Sequence, residues 1–570
     1  MSPGGTARAV PFGDRAVLVT TGDTASAHAL AAAVSARARR DAPDPPPVRV
    51  AEVTVGFASV LAALGSDPGP GDLDAAAAWL LRVAAGTGTD GGTGVDPATH
   101  VLPVTFDGAD LDTVAETLGC PPDDVVGLLS GTDLEVTFLG FTPGFPYLTG
   151  LPEALAGLPR RDTPRTAVPA GSVAVAGGFA AVYPQATPGG WNLLGHTDVP
   201  LFDPRTPPYA RLAPGDRVRF EIADGPVDAL TDPGHRPGAP SDRPPSSGSG
   251  LALDVVTPGF LDLVQDAGRP AVAGLGVPRA GAADPRALAL VNRLLGNEPG
   301  AAALEVTGSG PVLRVVGAGH LAVVGPGPGC VEVRVDGHQV ADGAVVPVSD
   351  GQVVSVGRVT GGLRAYVGVS GGLATPVLLG SRSHDVLSGL GPGPAAAGDR
   401  LARGTPGRVR GHLDLRPLPG PSPRTAPAVL RVLPGPHAVG TGRAGLDRVA
   451  AGRWRVGAEV DRVGIRLDHV DGPASGGGVP VASIPMVTGA VQLPPDGRPI
   501  VLLPDHATVG GYPVVACVIS ADLPVLGQLA PGDLVSFVPV GHDDAREARL
   551  RSVRAVRSAV TGWFPTAAGT

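Results

Sequence analysis

The chain has 570 residues, a net charge of −9, 43 % hydrophobic and 4 % aromatic content, 85 glycines and 63 prolines. That length exceeds one hydrophobic core and predicts several domains built from short strands and tight turns, while the acidic balance without a sustained basic stripe argues against nucleic acid. All 44 Lys+Arg residues are arginine, which excludes a Walker-type lysine, a Schiff-base lysine and a biotinylated lysine on this chain. Any phosphate must be met by arginine, backbone N–H groups or a metal.

Residues 8–20 read as a strand entered through a Gly-Asp turn, 25–40 as a helix, 48–60 as holding a second strand, and 72–85 as another helix. They make a small α/β domain over residues 1–92. The strand HVLPVTFDG opens a second domain, 93–223, followed by short helices at 111–118 and 122–129; the latter starts Pro-Pro-Asp-Asp, as a helix N-terminus does. Next comes FLGFTPGFPYL (138–148), where Phe138, Phe141, Phe145 and Tyr147 alternate with glycine and proline. That pattern predicts a loop presenting rings to a pocket. The alternative is a β-corner packed by its own rings.

Residues 224–250 include TDPGHRPGAPSDRPPSSGSG and predict a flexible linker between two once-separate halves. A β-rich domain is expected at 251–415, with a helix at 285–295 started by Asp284-Pro285 and stopped by Gly296-Asn297. Strands alternate over 321–369, and a glycine loop at 368–391 carries Arg382, Ser383, His384 and Asp385. Residues 416–427 look unstructured, 428–540 are β again, and 541–570 form a helical tail. Its amphipathic part, with Leu550, Val553, Val556 and Val560 on one side, reads as a surface helix.

The halves repeat each other. VPAGSVAVA (168–176) matches MVTGAVQLP (486–494), AAVYPQATPGGW (180–191) matches PIVLLPDHATVGGY (499–512), and LAPGDRVRF (212–220) matches LAPGDLVSF (529–537). The spacing between paired residues stays nearly constant along Gly171/Gly489, Gly190/Gly511 and Asp216/Asp533. A duplicated β-barrel ending each half is the expectation. The fold class is therefore mixed α/β and mainly β, with a small N-terminal α/β domain.

Cys120, Cys330 and Cys517 are odd in number and far apart, against a disulfide framework or a zinc site. No metal site is predicted. The N-terminus lacks a signal-peptide pattern, and no apolar run reaches the roughly 18 residues of a membrane helix, so a cytoplasmic, non-membrane protein is expected.

FLGFTPGFPYL, VPAGSV, TPGGWNLLGHT and LFDP resemble the B component of bacterial 5-oxoprolinase, a family also described as allophanate hydrolase-like. VQDAGR, GVPRAGAADP, LVNRLLGN, ALEVT, LGSRS, PPDGRPIVLL and GGYPVVACVISADLPVLGQLAPGD resemble its C-component partner. The resemblance implies cyclophilin-like barrels and a fused B and C component of an ATP-dependent 5-oxoprolinase. ATP, with Mg2+ expected alongside, would activate the lactam, and a separate protein like the A component of 5-oxoprolinase would complete hydrolysis to glutamate. The same family implies two alternatives: the carboxyltransferase part of a biotin-dependent urea or amide carboxylase, or a regulatory binder of a histidine kinase. Homo-oligomerisation is left open.

Lactam activation needs a positive clamp for phosphates, donors for developing charge and an acid or base near the amide. Read on the family, the catalytic candidates are His196, Asp266, Asp284, Asp505 and His506. The binding candidates in the first half are Phe141, Phe145, Tyr147, Arg165, Ser172, Gln185, Gly189, Gly190 and Asn192. Those in the second half are Gln265, Arg269, Arg279, Arg382 and Ser383. Arg165 and Arg269 read equally well as turn-stabilising arginines, His196 and His506 as strand-end histidines, and Asp266 and Asp284 as caps. The aromatic loop and the loops around Arg279 and Arg382 are expected to face one shared cleft.

Overall fold

The computed structural model describes residues 7–39, 44–65, 68–87, 97–223, 250–405, 409–413, 427–441, 444–472 and 477–563. The predicted linker and the predicted unstructured stretch at 416–427 lie outside the described residues, but for Gly250 and Pro427.

Arg8–Pro11 and Ala16–Thr20 form a hairpin, so the single strand expected over 8–20 is two. They join Ser59–Leu64 and Val50–Gly56 in a four-stranded sheet. Helix Thr24–Arg37 starts where the Asp23 carboxylate accepts the Ser26 N–H at 2.7 Å, the usual N-cap geometry. Period-two alternation divides the sheet's faces. Val17, Val19, Val60 and Ala62 pack under the helices with Leu30, Val34 and Trp79. The opposite face, with Phe12, Ala16, Leu18 and Leu61, packs on Ile484, Met486, Ala490, Leu502, Val514 and Cys517 of the second half.

The first barrel sheet runs in the spatial order Asn192–His196, Ser172–Ala176, Phe179–Val182, Pro146–Thr149, Leu134–Leu139, Arg217–Ile222, Thr99–Val104. A bridge stitches its two edges: Thr105 and His196 exchange backbone hydrogen bonds of 2.9 Å each way. The second barrel is closed, in the order Val514–Val518, Ala490–Gln492, Ile500–Leu502, Gly464–His469, Trp454–Val460, Leu534–Pro539, Ala428–Pro434. Each sheet has seven strands and contains one parallel pair, Thr99–Val104 with Arg217–Ile222 and Ala428–Pro434 with Leu534–Pro539. The repeated nonapeptides end on equivalent core rings, Phe220 and Phe537. The repeat legible in the sequence is a repeat of barrel architecture.

Between the barrels in chain order lies a β-sandwich of a six-stranded and a five-stranded sheet with helix Pro285–Leu294 against it. The C-terminal helix is His542–Ala559. It is more than a surface helix: Ala545 and Ala548 pack with Leu433 and Ile519 of the second barrel, and Arg549 is buried. Among the described residues no helix is long and apolar enough to cross a membrane.

The rings of the aromatic stretch correct the pocket expectation. Phe138 and Tyr147 stack with centroids 4.4 Å apart, and Phe145 meets Tyr147, Tyr183 and Trp191 edge-on. All five are buried in one cluster with Val55, Phe57 and Val509 from the other domains. Burial pushes the Tyr147 phenol up to about 12. These rings are core.

Candidate functional site

Three domains meet around a cavity of about 510 Å³, within the size range of small-molecule sites. The N-terminal domain supplies Asp14, Arg15, Glu52 and Thr54; the sandwich supplies Asp266, Arg279 and Pro285; the second barrel supplies Met486, His506 and Ser520. Both halves of the duplicated chain thus line one space.

Local sequence explains why polar groups project there. Ala16 pairs with Ala63, and Ala63 with Glu52, across adjacent strands. Ala16, Ala63 and Glu52 thus form one row on the sheet face turned to the second half, two small residues leading to one long carboxylate on the edge strand. Arg15 follows the Gly13-Asp14 turn. Gly13 has φ +68°, and a Cβ there would lie 2.9 Å from the Cys517 sulfur, so the close approach of the halves requires glycine. Asp14 locks the same turn across the interface, accepting from the Ser520 hydroxyl at 2.7 Å and from its N–H.

Arg15 and Arg279 are exposed. Among the described residues neither guanidinium makes a hydrogen bond or ion pair, although Arg279 lies within the electrostatic reach of Glu52 and Arg15. Two unpaired arginines on a cavity are an anion clamp in chemical terms. Oε1 of Glu52 accepts the Ala273 N–H at 2.6 Å, which ties the first half to the short 3-10 turn Ala273–Leu275 of the second. Burial pushes the Glu52 carboxyl up, and the backbone N–H groups and Arg279 only partly oppose this. His506 is kept neutral by burial, and its Nδ1 donates to the Ala507 carbonyl at 2.8 Å.

Behind the wall lies a buried ionic network. Arg462 holds Asp505 at two points, 2.9 Å each, pairs with Glu305 and donates to the Gly281 carbonyl at 2.5 Å. Glu305 also accepts from Tyr366 at 2.6 Å and from the Ala283 N–H at 2.9 Å, with Arg364 3.3 Å away. Arg462, Glu305, Arg364 and Asp505 are at most 2 % exposed. By gripping Gly281 and Ala283, the network fixes the loop that carries Arg279.

The structure sorts the sequence-derived candidates. Asp266, Arg279 and His506 line the cavity. Asp505 does not; it is an internal counter-ion. Asp284 is a helix cap: Oδ1 accepts the Ala287 N–H at 2.9 Å and Oδ2 accepts from Gln528 at 2.8 Å. Gln265 donates to the His384 carbonyl at 2.7 Å, and Arg269 donates to the carbonyls of Ser383 and Leu390; both are buried. Ser383 and the Arg382 N–H bind Asp266 at 2.6 and 2.7 Å, while the Arg382 guanidinium reaches the Thr375 carbonyl. This group folds the glycine loop.

The first-half candidates form a separate cluster that pairs with itself. Arg165 joins Arg161 on the buried Asp110, at 2.8 Å for Arg165. Gly189 pairs with Arg165 across strands, and Gly190 accepts from the Arg161 N–H. Asn192 donates to the Pro159 and Val175 carbonyls, Ser172 is buried in its strand, and His196 pairs with Asp107 at 2.8 Å. Phe141, half-buried, meets Phe145 edge-on. Of these candidates, Gln185 reaches the second half, 3.5 Å from the Leu387 carbonyl. The aromatic loop does meet the Arg279 segment, but as a packed seam: Gly144 donates to the Leu275 carbonyl at 2.8 Å, and a Cβ on Gly276 would sit 2.6 Å from the Thr142 carbonyl oxygen.

Sequence reading missed Arg15, Glu52, Glu305, Arg364 and Arg462. Glu52 had a signal, being a lone acid on an apolar strand, and Arg15 follows a recognised turn. Nothing in local spacing marks the network.

Residues 7–212 match the family model "Carboxyltransferase domain, subdomain C and D", and residues 275–539 match "Carboxyltransferase domain, subdomain A and B". The chain is 33 % identical to the C component of 5-oxoprolinase from Escherichia coli K12 over 306 residues, 52 % of this chain and 94 % of that protein. It is 52 % identical to the B component of 5-oxoprolinase from Escherichia coli O157:H7 over 122 residues, 21 % of this chain and 56 % of that protein. The crystal structure of TTHA0988 superposes with a TM-score of 0.77 at 35 % identity, covering 92 % of this chain and 99 % of that one.

Proposed function

The chain belongs to the carboxyltransferase-domain family that includes the B and C components of 5-oxoprolinase, and from that premise we propose that it is a fused B–C component of an ATP-dependent 5-oxoprolinase. The observation that carries this reading is the shared cavity: Arg15 and Glu52 come from the B-like half, Arg279 from the C-like half. Fusion keeps two partners of one site at equal stoichiometry.

A lactam amide is a poor electrophile. Phosphorylation of its oxygen by ATP turns that oxygen into a leaving group, so water can later open the ring. In this reading Arg15 and Arg279 neutralise the substrate carboxylate or phosphate oxygens, the role a lysine-free chain must give to arginine. Mg2+ would accompany the nucleotide, and a protein like the A component of 5-oxoprolinase would complete the hydrolysis in the cytoplasm.

The description of the matched family favours a second reading, a carboxyltransferase component. It would require a biotinylated lysine on another chain, since this one has none.

The test mixes the purified chain with an A-type partner protein, 5-oxoproline and ATP, and follows ADP and glutamate. Coupled formation of both, with little glutamate from the chain alone, is expected. Full glutamate production without the partner removes the partner requirement. Carboxyl transfer from carboxybiotin without ATP turnover moves the function to the second reading.

A further inference from the structure

We propose that Glu52 is the general base of the activation step, taking the lactam N–H proton while the amide oxygen is phosphorylated. The inference rests on the 5-oxoprolinase reading above and adds a residue and a role to it.

Three carboxylates line the cavity, and two are committed. Asp14 holds Ser520 and lies 3.4 Å from Arg549. Asp266 accepts from Gly268, Ser381, Arg382 and Ser383 and organises the glycine loop. Glu52 is held by backbone alone, Oε1 accepting the Ala273 N–H at 2.6 Å and the Val272 amide adding to it; among the described residues no side chain hydrogen-bonds to its carboxylate. A carboxylate fixed by backbone donors and committed to no side chain, beside Arg15 and Arg279, is what a positioned base needs. His506 is less suited, because burial and the Ala507 carbonyl hold it in one neutral tautomer.

The step balances as follows. The amide oxygen attacks the γ-phosphorus, an O–P bond forms, and the bond to the bridging oxygen breaks so that ADP leaves. The N–H bond breaks, its electron pair forms the C=N bond of a cyclic imidate phosphate, and the proton moves to the Glu52 carboxylate. Burial that raises the affinity of Glu52 for protons makes it the stronger base. The other titratable and charged groups lining the cavity include Asp14 and Arg15 from the hairpin turn, Asp266 and Arg279 from the sandwich, and His506 from the barrel.

The test compares wild type, Glu52→Gln and Glu52→Asp, each with an A-type partner protein, 5-oxoproline and ATP, reading ADP release. Glutamine keeps the acceptor for Ala273, so a purely structural Glu52 predicts near-normal turnover. A base predicts a fall in kcat of about 100-fold or more with KM for ATP little changed, loss of the acidic limb of the kcat/KM profile, and partial rescue by aspartate. Glu52→Gln within threefold of an active wild type overturns the proposal. A wild type without 5-oxoproline-dependent ADP release instead overturns the function it rests on. If Glu52→Gln fails to melt cooperatively, the wild-type profile decides: an acidic limb at a pH above the ordinary glutamate range supports the base, and a flat profile overturns it.

Discussion

Arg549 and Asp14 are 535 residues apart in sequence and 3.4 Å apart in the fold. Arg549 also donates to the Pro68 carbonyl at 2.8 Å, so the last helix clasps the first domain against the second barrel. Both side chains are buried. Removing one partner of a buried pair typically costs about 3–5 kcal/mol. Arg549→Ala should therefore lower the denaturation midpoint by a large step and raise hydrogen exchange in the Gly13–Arg15 turn. A change under about 0.5 kcal/mol, the scale of an ordinary surface substitution, would show that the clasp contributes little.

The Arg462 network makes a sharper stability prediction. Arg462→Met leaves Glu305 and Asp505 buried without their shared cation, at a cost of about 3–5 kcal/mol. Burial alone would raise the Glu305 carboxyl, but Arg462 and Arg364 outweigh it and hold it below its ordinary value. A depressed carboxyl gives stability that is present above the unfolded value, near 4.5, and lost as pH falls through the folded one. Wild type should lose this contribution in acid; Arg462→Met should lack it already at neutral pH. Equal urea midpoints for the two at neutral pH would contradict the account.

Asp385 titrates in the opposite sense. Burial, with the Asp505 charge beside it, pushes its carboxyl up to about 7. The folded state then holds a proton that the unfolded state releases near 3.8, so stability falls as pH rises between those values. Asp385→Asn removes that component. Its urea midpoint relative to wild type should rise as pH is taken from mildly acidic to mildly alkaline, and a constant difference would show that Asp385 is ionised throughout.

Much of the fold was legible because β-turn motifs repeat. LAPGDRVRF and LAPGDLVSF mark the same strand of two barrels, and Asp284-Pro285 announces its helix. The candidate site was less legible because it is assembled from distant segments. Arg279 and Asp266 lie in recognisable loops, but Arg15 and Glu52 face the cavity only because one sheet turns its second face to the other half. The aromatic stretch misled for a physical reason: rings between glycines suit a ligand pocket and an interdomain core equally. Phe145→Ala should therefore cost about 3–5 kcal/mol of stability with cavity ligand affinity little changed. Arg279→Ala should do the reverse, raising KM or lowering kcat with an unchanged melt. Swapped phenotypes would return the site to the aromatic face.

The most direct test of the shared-cavity account is a crystal structure of the full chain with ADP and 5-oxoproline bound. The account predicts ligand density between the three domains, with anionic oxygens on Arg15 or Arg279 and the lactam beside Glu52. Ligand bound instead at the first barrel around Arg165, Gln185 and Asn192, with the cavity empty, would contradict it.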